Sequence, residues 1–461
     1  MIWDRMSLGV VFAAAAMLAG RHALASELTA SIAGERAVQA SFERASAADV
    51  SRAAEARVEQ ARAALLPRVG ATARYTRLSD ITPPALFPFS IAATNAPAGT
   101  VAPPTTSTGP IAIAPVLDNY TLDATLTLPL SDYVLRLARN VTAARRGRDS
   151  ARWEEVTVAA QARLEGRSAF YEWLRARAAA DAAGQVATEQ RAHLSDVAAQ
   201  LAEGNASRAD ALRVESAVAD AEAAVAEAEA RRVTAETRLR IRLHLGDEML
   251  STTEALEAAL EATGGDTSAL VREAQRSRAE LRGLDAAEQA SRVQASIARA
   301  TYLPTLAAFA NATYANPNPR YFPPTEAWRG TWAAGVALSW APTEIPGARA
   351  SAAEHEARGD ALAAQQGALR DLVTLQVVEG LQAVRAADAK VAATEKQIEA
   401  ATEARRITRS LVLNTRATTS NLLDAETDLV RARFAWINAR VEARLSRARL
   451  EHALGRDQAA P

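Results

Sequence analysis

Residues Tyr120-Thr121-Leu122-Asp123-Ala124-Thr125-Leu126-Thr127-Leu128-Pro129-Leu130 alternate apolar and polar side chains almost without a slip. Successive side chains of an extended chain point to opposite faces. Leu122, Ala124, Leu126, Leu128 and Leu130 therefore share one face, and Thr121, Asp123, Thr125 and Thr127 the other. Two more stretches behave alike. Val69, Ala71, Ala73 and Tyr75 oppose Arg68, Gly70, Thr72 and Arg74, and Trp332, Ala334, Val336, Leu338 and Trp340 oppose Thr331, Ala333, Gly335, Ala337 and Ser339. A period of two held over roughly ten residues suits a transmembrane barrel strand. A soluble half-buried sheet alternates equally well.

Composition tilts the balance toward the barrel. Of the 22 aromatic residues, 13 lie within 68–133 and 302–340, under a quarter of the chain, and Tyr75, Tyr120, Tyr314, Trp328 and Trp340 stand near strand ends. Bilayer interfaces favour such residues. The spacing predicts strands at Arg68–Leu78, Tyr120–Leu130, Leu306–Tyr314 and Thr331–Trp340. Residues 80–118 carry eight prolines, which cannot donate to a ladder, and read as a loop. Four strands leave two edges unpaired, which hydrocarbon does not tolerate, so oligomerisation is expected to close the barrel.

Outward from the strands, the chain repeats one plan. Ala64-Leu65-Leu66-Pro67 and Thr301-Tyr302-Leu303-Pro304 each end a helical pattern and precede a strand, a proline-bearing loop and a second strand. Long helical stretches follow both blocks. One is interrupted at Glu203-Gly204-Asn205-Ala206-Ser207 and the other at Asn414-Thr415-Arg416-Ala417-Thr418, and they finish on Leu245-Gly246 and Leu454-Gly455, with glycine as the expected stop. The helices before the interruptions approach 70 residues, on the order of 100 Å at 1.5 Å per residue.

The last helix carries a heptad seam through Leu422, Ala425, Leu429, Ala432, Trp436, Ala439, Ala443, Ser446, Leu450 and Ala453, with a second stripe through Leu423, Val430, Phe434, Ile437, Val441, Leu445 and Ala448. Two stripes require two neighbours, as in the wall of a cylinder. Its counterpart in the first half has Ala211, Val214, Val218, Ala221, Val225, Ala228, Ala235 and Leu239 in the same register. The fold class expected is mainly α with a transmembrane β-barrel.

Leu8–Gly20 is an apolar run after Arg5, and Ala23-Leu24-Ala25 supplies small residues before Ser26, the pattern of a secretory signal peptide cleaved after Ala25. At about 13 residues the run is short of the ~20 that span a bilayer as helix. There are 53 basic and 54 acidic residues, a net charge of −1, so no field for nucleic acid follows. The chain has no cysteine, which excludes disulfides and thiolate chemistry. The five histidines, at 22, 193, 244, 355 and 452, are scattered, and His355-Glu356 has Gly359 where a zinc protease motif needs a second histidine. No phosphate loop or nucleophile elbow is present. Neither an enzyme nor a bound cofactor or metal is expected.

Several of these features together resemble the TolC family of outer-membrane factors, over about residues 27 to 455. They are the helices ending in Leu-Leu-Pro or Tyr-Leu-Pro before a strand, the doubled strand-loop-strand, and the small-residue tips. The set Ser207, Asp210, Leu212 and Glu215 belongs with them, matched later by Thr418, Asn421, Leu423 and Asp424-Ala425-Glu426. The resemblance implies a homotrimer, with four strands from each protomer in a twelve-strand barrel among outer-membrane lipid. Long coiled-coil helices would form an α-helical tunnel in the periplasm. It also implies docking to a periplasmic adaptor and an inner-membrane pump, which selects the cargo. Family members close at helix tips with rings of acidic residues after the second tip. Here Thr415-Arg416-Ala417-Thr418-Thr419-Ser420-Asn421-Leu422-Leu423-Asp424 places Asp424 at the second acid, Asn421 at the first, and Ala417 where an arginine helps hold the closed state in some members.

The resulting organisation is a signal peptide (1–25), an N-terminal helix (26–66), a first strand block (67–131), a first helical hairpin (132–246), equatorial helices (247–303), a second strand block (304–342), a second hairpin (343–455) and a tail (456–461). Expected pore-constriction residues are Asp424 and Asn421. Expected adaptor-contact tips are Gly204, Asn205, Ala206 and Ser207 with Thr415, Arg416, Ala417 and Thr418. The competing expectation is a periplasmic coiled-coil adaptor or structural protein without a barrel. Such proteins have one helical hairpin, whereas two are expected here, and membrane insertion separates the readings.

Overall fold

The computed structural model of the chain describes residues 27–80, 91–93, 105–107, 116–204, 206–246, 250–260, 264–414 and 416–458. The expected signal peptide lies outside these residues, as do Asn205, Thr415 and most of the proline-rich segment. The described elements run α1 (Ala30–Ala40), α2 (Phe42–Ala63), β1 (Arg68–Arg77), β2 (Ile91–Ala93), β3 (Thr105–Ser107), β4 (Asp118–Leu128), α3 (Leu130–Asp132), a π-helical turn (Tyr133–Leu137), α4 (Ala138–Ala202) and α5 (Arg208–Leu243). Then come α6 (Thr267–Ser277), α7 (Ala279–Ala300), β5 (Thr305–Asn316), β6 (Arg329–Ser339), a short 3-10 turn (Pro342–Glu344), α8 (Ile345–Leu413) and α9 (Thr419–Leu454).

Three local expectations are corrected. The N-terminal helix is two helices. Ser41 leaves the helical region (φ −69°, ψ 122°), its hydroxyl oxygen accepts from the Arg44 amide at 3.0 Å, and it caps α2. The proline-rich segment holds a small antiparallel ladder of β2 with β3. Helix α5 stops at His244 rather than Gly246. His244 takes the left-handed conformation (φ 48°), and its ring lies 4.9 Å from that of Phe42. Helix α9 does end on Gly455 (φ 72°).

The chain divides into two compact units. One comprises 1–54, 147–288 and 360–461, and the other 55–146 and 289–359. The first unit is helical and its core is built around α9. Ile437, Val441 and Leu445 pack with Leu28, Ala33 and Ala37 at the N-terminus, Phe170, Trp173 and Leu174 of α4, and Leu239 and Leu243 of α5. On the other side, Ala439 and Ala443 meet Ala387 and Val391 of α8. Further along, Leu450 and Leu454 meet Val373, Val377 and Leu381 of α8 with Leu270 and Ala274 of α6. The two stripes read on α9 thus serve two different neighbours. In α5, Val214, Val218, Ala221, Ala228 and Leu239 of the expected seam are buried.

One buried charge fastens the segment after α5 to this core. Arg444 of α9 donates to the carbonyls of Ala255 and Ala258, each at 3.1 Å, and faces Glu254 at 3.8 Å. Glu254 in turn accepts from the Ala30 amide at 3.0 Å. Burial pulls the Arg444 guanidinium below its ordinary value, and burial with Glu254 nearby raises the Tyr171 phenol. Arginine remains protonated even so.

The second unit holds an antiparallel sheet in the order β1-β4-β5-β6. The register is continuous: Ala71 pairs Ala124, Ala124 pairs Ala312, and Ala312 pairs Trp332. Ser131 ties the chain after β4 to β5, its hydroxyl oxygen accepting from the Leu306 amide at 2.9 Å. The Trp340 ring N–H donates to the Tyr302 carbonyl at 3.2 Å.

Candidate functional site

The pairing register turns the alternation of each strand into a property of the whole sheet. Row by row, one face carries Val69 with Leu126 and Ala310, Ala71 with Ala124 and Ala312, and Ala73 with Leu122 and Tyr314; Ala334, Trp332 and Gly330 complete these rows from β6. No charged side chain falls on this face between Val69 and Tyr75. It is open: Val69 is 78% exposed, Trp332 77% and Leu338 71%. A soluble sheet would cover such a face; hydrocarbon covers it equally well.

Aromatic rings gather at one end of the apolar face. Tyr75 and Tyr120 lie 5.0 Å apart between centroids, and Trp328 lies 6.0 Å from Tyr120 and 5.1 Å, stacked, from Tyr314. Beyond them comes the first ion pair. Arg77 meets Asp118 at 3.1 Å, and the Tyr75 hydroxyl donates to the same carboxylate at 2.8 Å. Apolar side chains, then an aromatic layer, then charge is the order of a bilayer interface.

The opposite face is polar. It carries Arg68, Thr72 and Arg74 of β1, Thr121, Asp123, Thr125 and Thr127 of β4, and Asn311 and Thr313 of β5. The Thr313 hydroxyl donates to Asp123 at 2.6 Å. Strands β1 and β6 are the two edges of this four-stranded sheet, and neither is paired on its outer side among the described residues.

The helix ends supply the second candidate surface. Gly204 takes φ +79°, which reverses the chain after α4. Ser207 and Asp210 form a capping box at the start of α5, and Thr418 and Asn421 form the same box at the start of α9. The residues read as a family signature thus have a local physical role. The Thr418 amide and hydroxyl both donate to the Asn421 side-chain oxygen, at 3.1 and 2.5 Å. The two tips adjoin, since Arg213 donates to the Ser420 hydroxyl at 3.2 Å. Ala206 and Ala417 are half-buried and Arg416 is exposed. Asp424 is exposed one turn beyond the cap, with no hydrogen bond or ion pair among the described residues.

Sequence reading missed a buried polar knot further along the same helices. Glu426 of α9 is 6% exposed and accepts from the Gln190 side chain of α4 at 2.9 Å. Arg405 of α8 lies 3.6 Å from Glu426 and 2.9 Å from Glu189, which also faces Arg433 at 3.5 Å. Its members come from three helices, with Gln190 lying 236 residues before Glu426, so no local motif announces it.

A sheet apolar on one face, polar on the other and unpaired at both edges, in a chain with helices of 65 and 69 residues, defines a class of protein. That combination is the one expected of a protomer of an outer-membrane channel built from a β-barrel and a helical tunnel. Residues 270–456 match the family described as outer membrane efflux protein. No curated protein matches the sequence. Among solved structures the chain is similar to the CmeC outer membrane channel of Campylobacter jejuni, with 12% identity, 94% of this chain and 89% of that one covered, and a TM-score of 0.74. It is similar to the open state of the MtrE outer membrane channel of Neisseria gonorrhoeae, with 18% identity, 92% and 88% coverage and a TM-score of 0.73. It is also similar to the outer membrane protein VceC of Vibrio cholerae, with 18% identity, 92% and 95% coverage and a TM-score of 0.67. At such identities the likeness establishes the shared fold, and the resemblance to the TolC family of outer-membrane factors is borne out. No helix among the described residues is long and apolar enough to cross a membrane.

Proposed function

We propose that this chain is the outer-membrane channel of a tripartite efflux or export system. It acts as a passive homotrimeric duct that docks to a periplasmic adaptor and an inner-membrane pump. The observation that carries this reading is the sheet: an uncharged apolar face with an aromatic layer at one end, a polar face behind it, and two open edges. Three copies joined edge to edge, β6 of one beside β1 of the next, give a twelve-strand closed barrel with the polar face inward. Helices of about 100 Å supply the periplasmic tunnel. The tips Gly204–Ser207 and Thr415–Thr418 are the surface offered to the adaptor. The mass of the detergent-extracted protein from separated membranes tests this. A trimer in the outer-membrane fraction, cross-linking to its adaptor through Ala206→Cys or Ala417→Cys, is the expected result. A soluble periplasmic monomer or dimer would leave the coiled-coil adaptor as the better reading.

Asp424 is assigned to the pore constriction and Asn421 to its neighbourhood. The support is that Asp424 is exposed and unpartnered beside the tip, while Asn421 is engaged in the α9 cap. Three carboxylates drawn together by a threefold axis raise the local cation concentration. Asp424→Ala should lower the cation-to-anion permeability ratio by roughly threefold to tenfold, read from the reversal potential across a salt gradient in a planar bilayer. An unmoved reversal potential removes Asp424 from the pore.

A further inference from the structure

The polar face of the sheet is unevenly charged. Arg68 and Arg74 both stand on β1, an edge strand, opposite Thr127 and Thr121. Neither makes a hydrogen bond or ion pair among the described residues. Following the register across the sheet, Arg74 lies in one row with Thr121, Ala315 and Arg329. The Arg329 guanidinium lies 4.6 Å above the Tyr321 ring and meets no carboxylate among the described residues. Arg68 lies in a second row, six residues away and about 20 Å along the strand. Between Arg68 and Arg74 the sheet offers this face a single carboxylate, Asp123, and Thr313 already donates to it.

Closure of the barrel does not neutralise the arginines. In a ring of copies, β1 meets β6 of the next copy. On the polar face β6 contributes Thr331, Ala333, Gly335 and Ala337, and no acid at any register of that seam. Each copy therefore adds three guanidiniums and one carboxylate to the strand-lined wall.

We propose that the barrel lumen of this channel, beyond the cation-attracting Asp424 ring at the helix tips, is an arginine-lined, two-tiered anion-attracting passage that draws the carboxylate, phosphate or sulfonate groups of passing cargo toward its wall. The inference rests on the channel reading above, which puts this face inward. Arginine suits the task because its planar fork binds such groups bidentately and is weakly hydrated compared with an ammonium. A low-dielectric wall focuses the field of like charges and raises the local concentration of the opposite ion.

The chain's lack of cysteine makes the test direct. Thr125→Cys places a thiol on the polar face between the two tiers, and Ala124→Cys places one on the apolar face a single residue away. Outer-membrane vesicles holding each variant are treated with membrane-impermeant methanethiosulfonates, one anionic (ethylsulfonate) and one cationic (ethyltrimethylammonium). The Thr125→Cys protein should be labelled and the Ala124→Cys protein spared. The anionic-to-cationic rate ratio at Thr125→Cys should fall about tenfold when Arg68→Gln and Arg74→Gln are added. It should hold with Arg68→Lys and Arg74→Lys, and collapse toward the free-thiol ratio as salt is raised to about 1 M. Equal labelling of both thiols would overturn the inward placement and the channel reading with it. Selective labelling of Thr125→Cys with a ratio indifferent to salt, or to loss of the arginines, would overturn the arginine passage alone. The salt arm needs no arginine variant, so it decides the matter even where the glutamine protein fails to assemble.

Discussion

Ala124→Arg should abolish outer-membrane assembly, while Thr125→Arg, one residue along the same strand, should assemble normally. Ala124 sits mid-strand, paired with Ala71 on one side and Ala312 on the other, in the centre of the apolar face. A guanidinium there faces hydrocarbon, and at a bilayer midplane such a charge costs about 2–4 kcal/mol. A homotrimer takes that cost three times, about 6–12 kcal/mol per barrel, comparable to the whole stability of an ordinary domain. Snorkelling offers little relief, because the charged layer at Arg77 and Asp118 begins beyond Tyr75 and Tyr120. Thr125 points the other way, among Gly70, Asn311 and Ala333, where a cation meets water. The measurement is the yield of trimer in the outer-membrane fraction for the two variants beside the parent. Equal yields would show that the face carrying Ala124 is not in lipid.

That contrast depends on a part of the fold legible in the sequence. Alternation has a period of two, local and independent of partners, so the four long strands are found within about two residues of where the spacing put them. The same holds for the heptad seam of α9, where Leu422, Leu429, Ala432, Ala439, Ala443, Leu450 and Ala453 are all buried. The break at Ser41 was hidden because apolar residues continue at helical spacing through Phe42. Only the cap residue itself marks the stop, and a lone serine in an alanine-rich stretch is weak punctuation. Gly246 was the expected end of α5, yet His244 takes the left-handed turn, a conformation histidine adopts more readily than branched residues do. The row that joins Arg74 to Arg329 was out of reach, since each strand displays its own two faces but not the register with β4 and β5 between them. The knot of Glu426, Gln190 and Arg405 was hidden for the same reason: long-range pairing leaves no periodic trace.

Gly166→Leu should be the most damaging single change in the helical unit, although glycine inside a long helix reads as a weak point that almost any residue would improve. A Cβ at Gly166 would lie 2.5 Å from the Cβ of Ala37 and 2.6 Å from the carbonyl oxygen of Ala33. Ala33 and Ala37 are 0% and 1% exposed, so α1 has no slack where it crosses α4. The obstacle includes backbone, which cannot swing aside as the end of a long side chain does. Overpacking commonly costs about 1–3 kcal/mol when side chains can adjust, and here helix α1 itself must lift. Lifting it gives up the burial of Leu28, Ala33 and Ala37 against Phe170 and Trp173, and the ion pair of Glu35 with Arg163 at 2.8 Å. A loss of roughly 3 kcal/mol or more in local stability follows. Hydrogen exchange would then be faster by about a hundredfold or more across Ala30–Ala40. Gly184, in the same helix, is the control: nothing lies within 4 Å of an added Cβ, so Gly184→Ala should hold or raise stability by about 0.5–1 kcal/mol. Unchanged exchange in Ala30–Ala40 of the Gly166→Leu protein would mean that α1 does not pack on α4 as closely as its small residues allow.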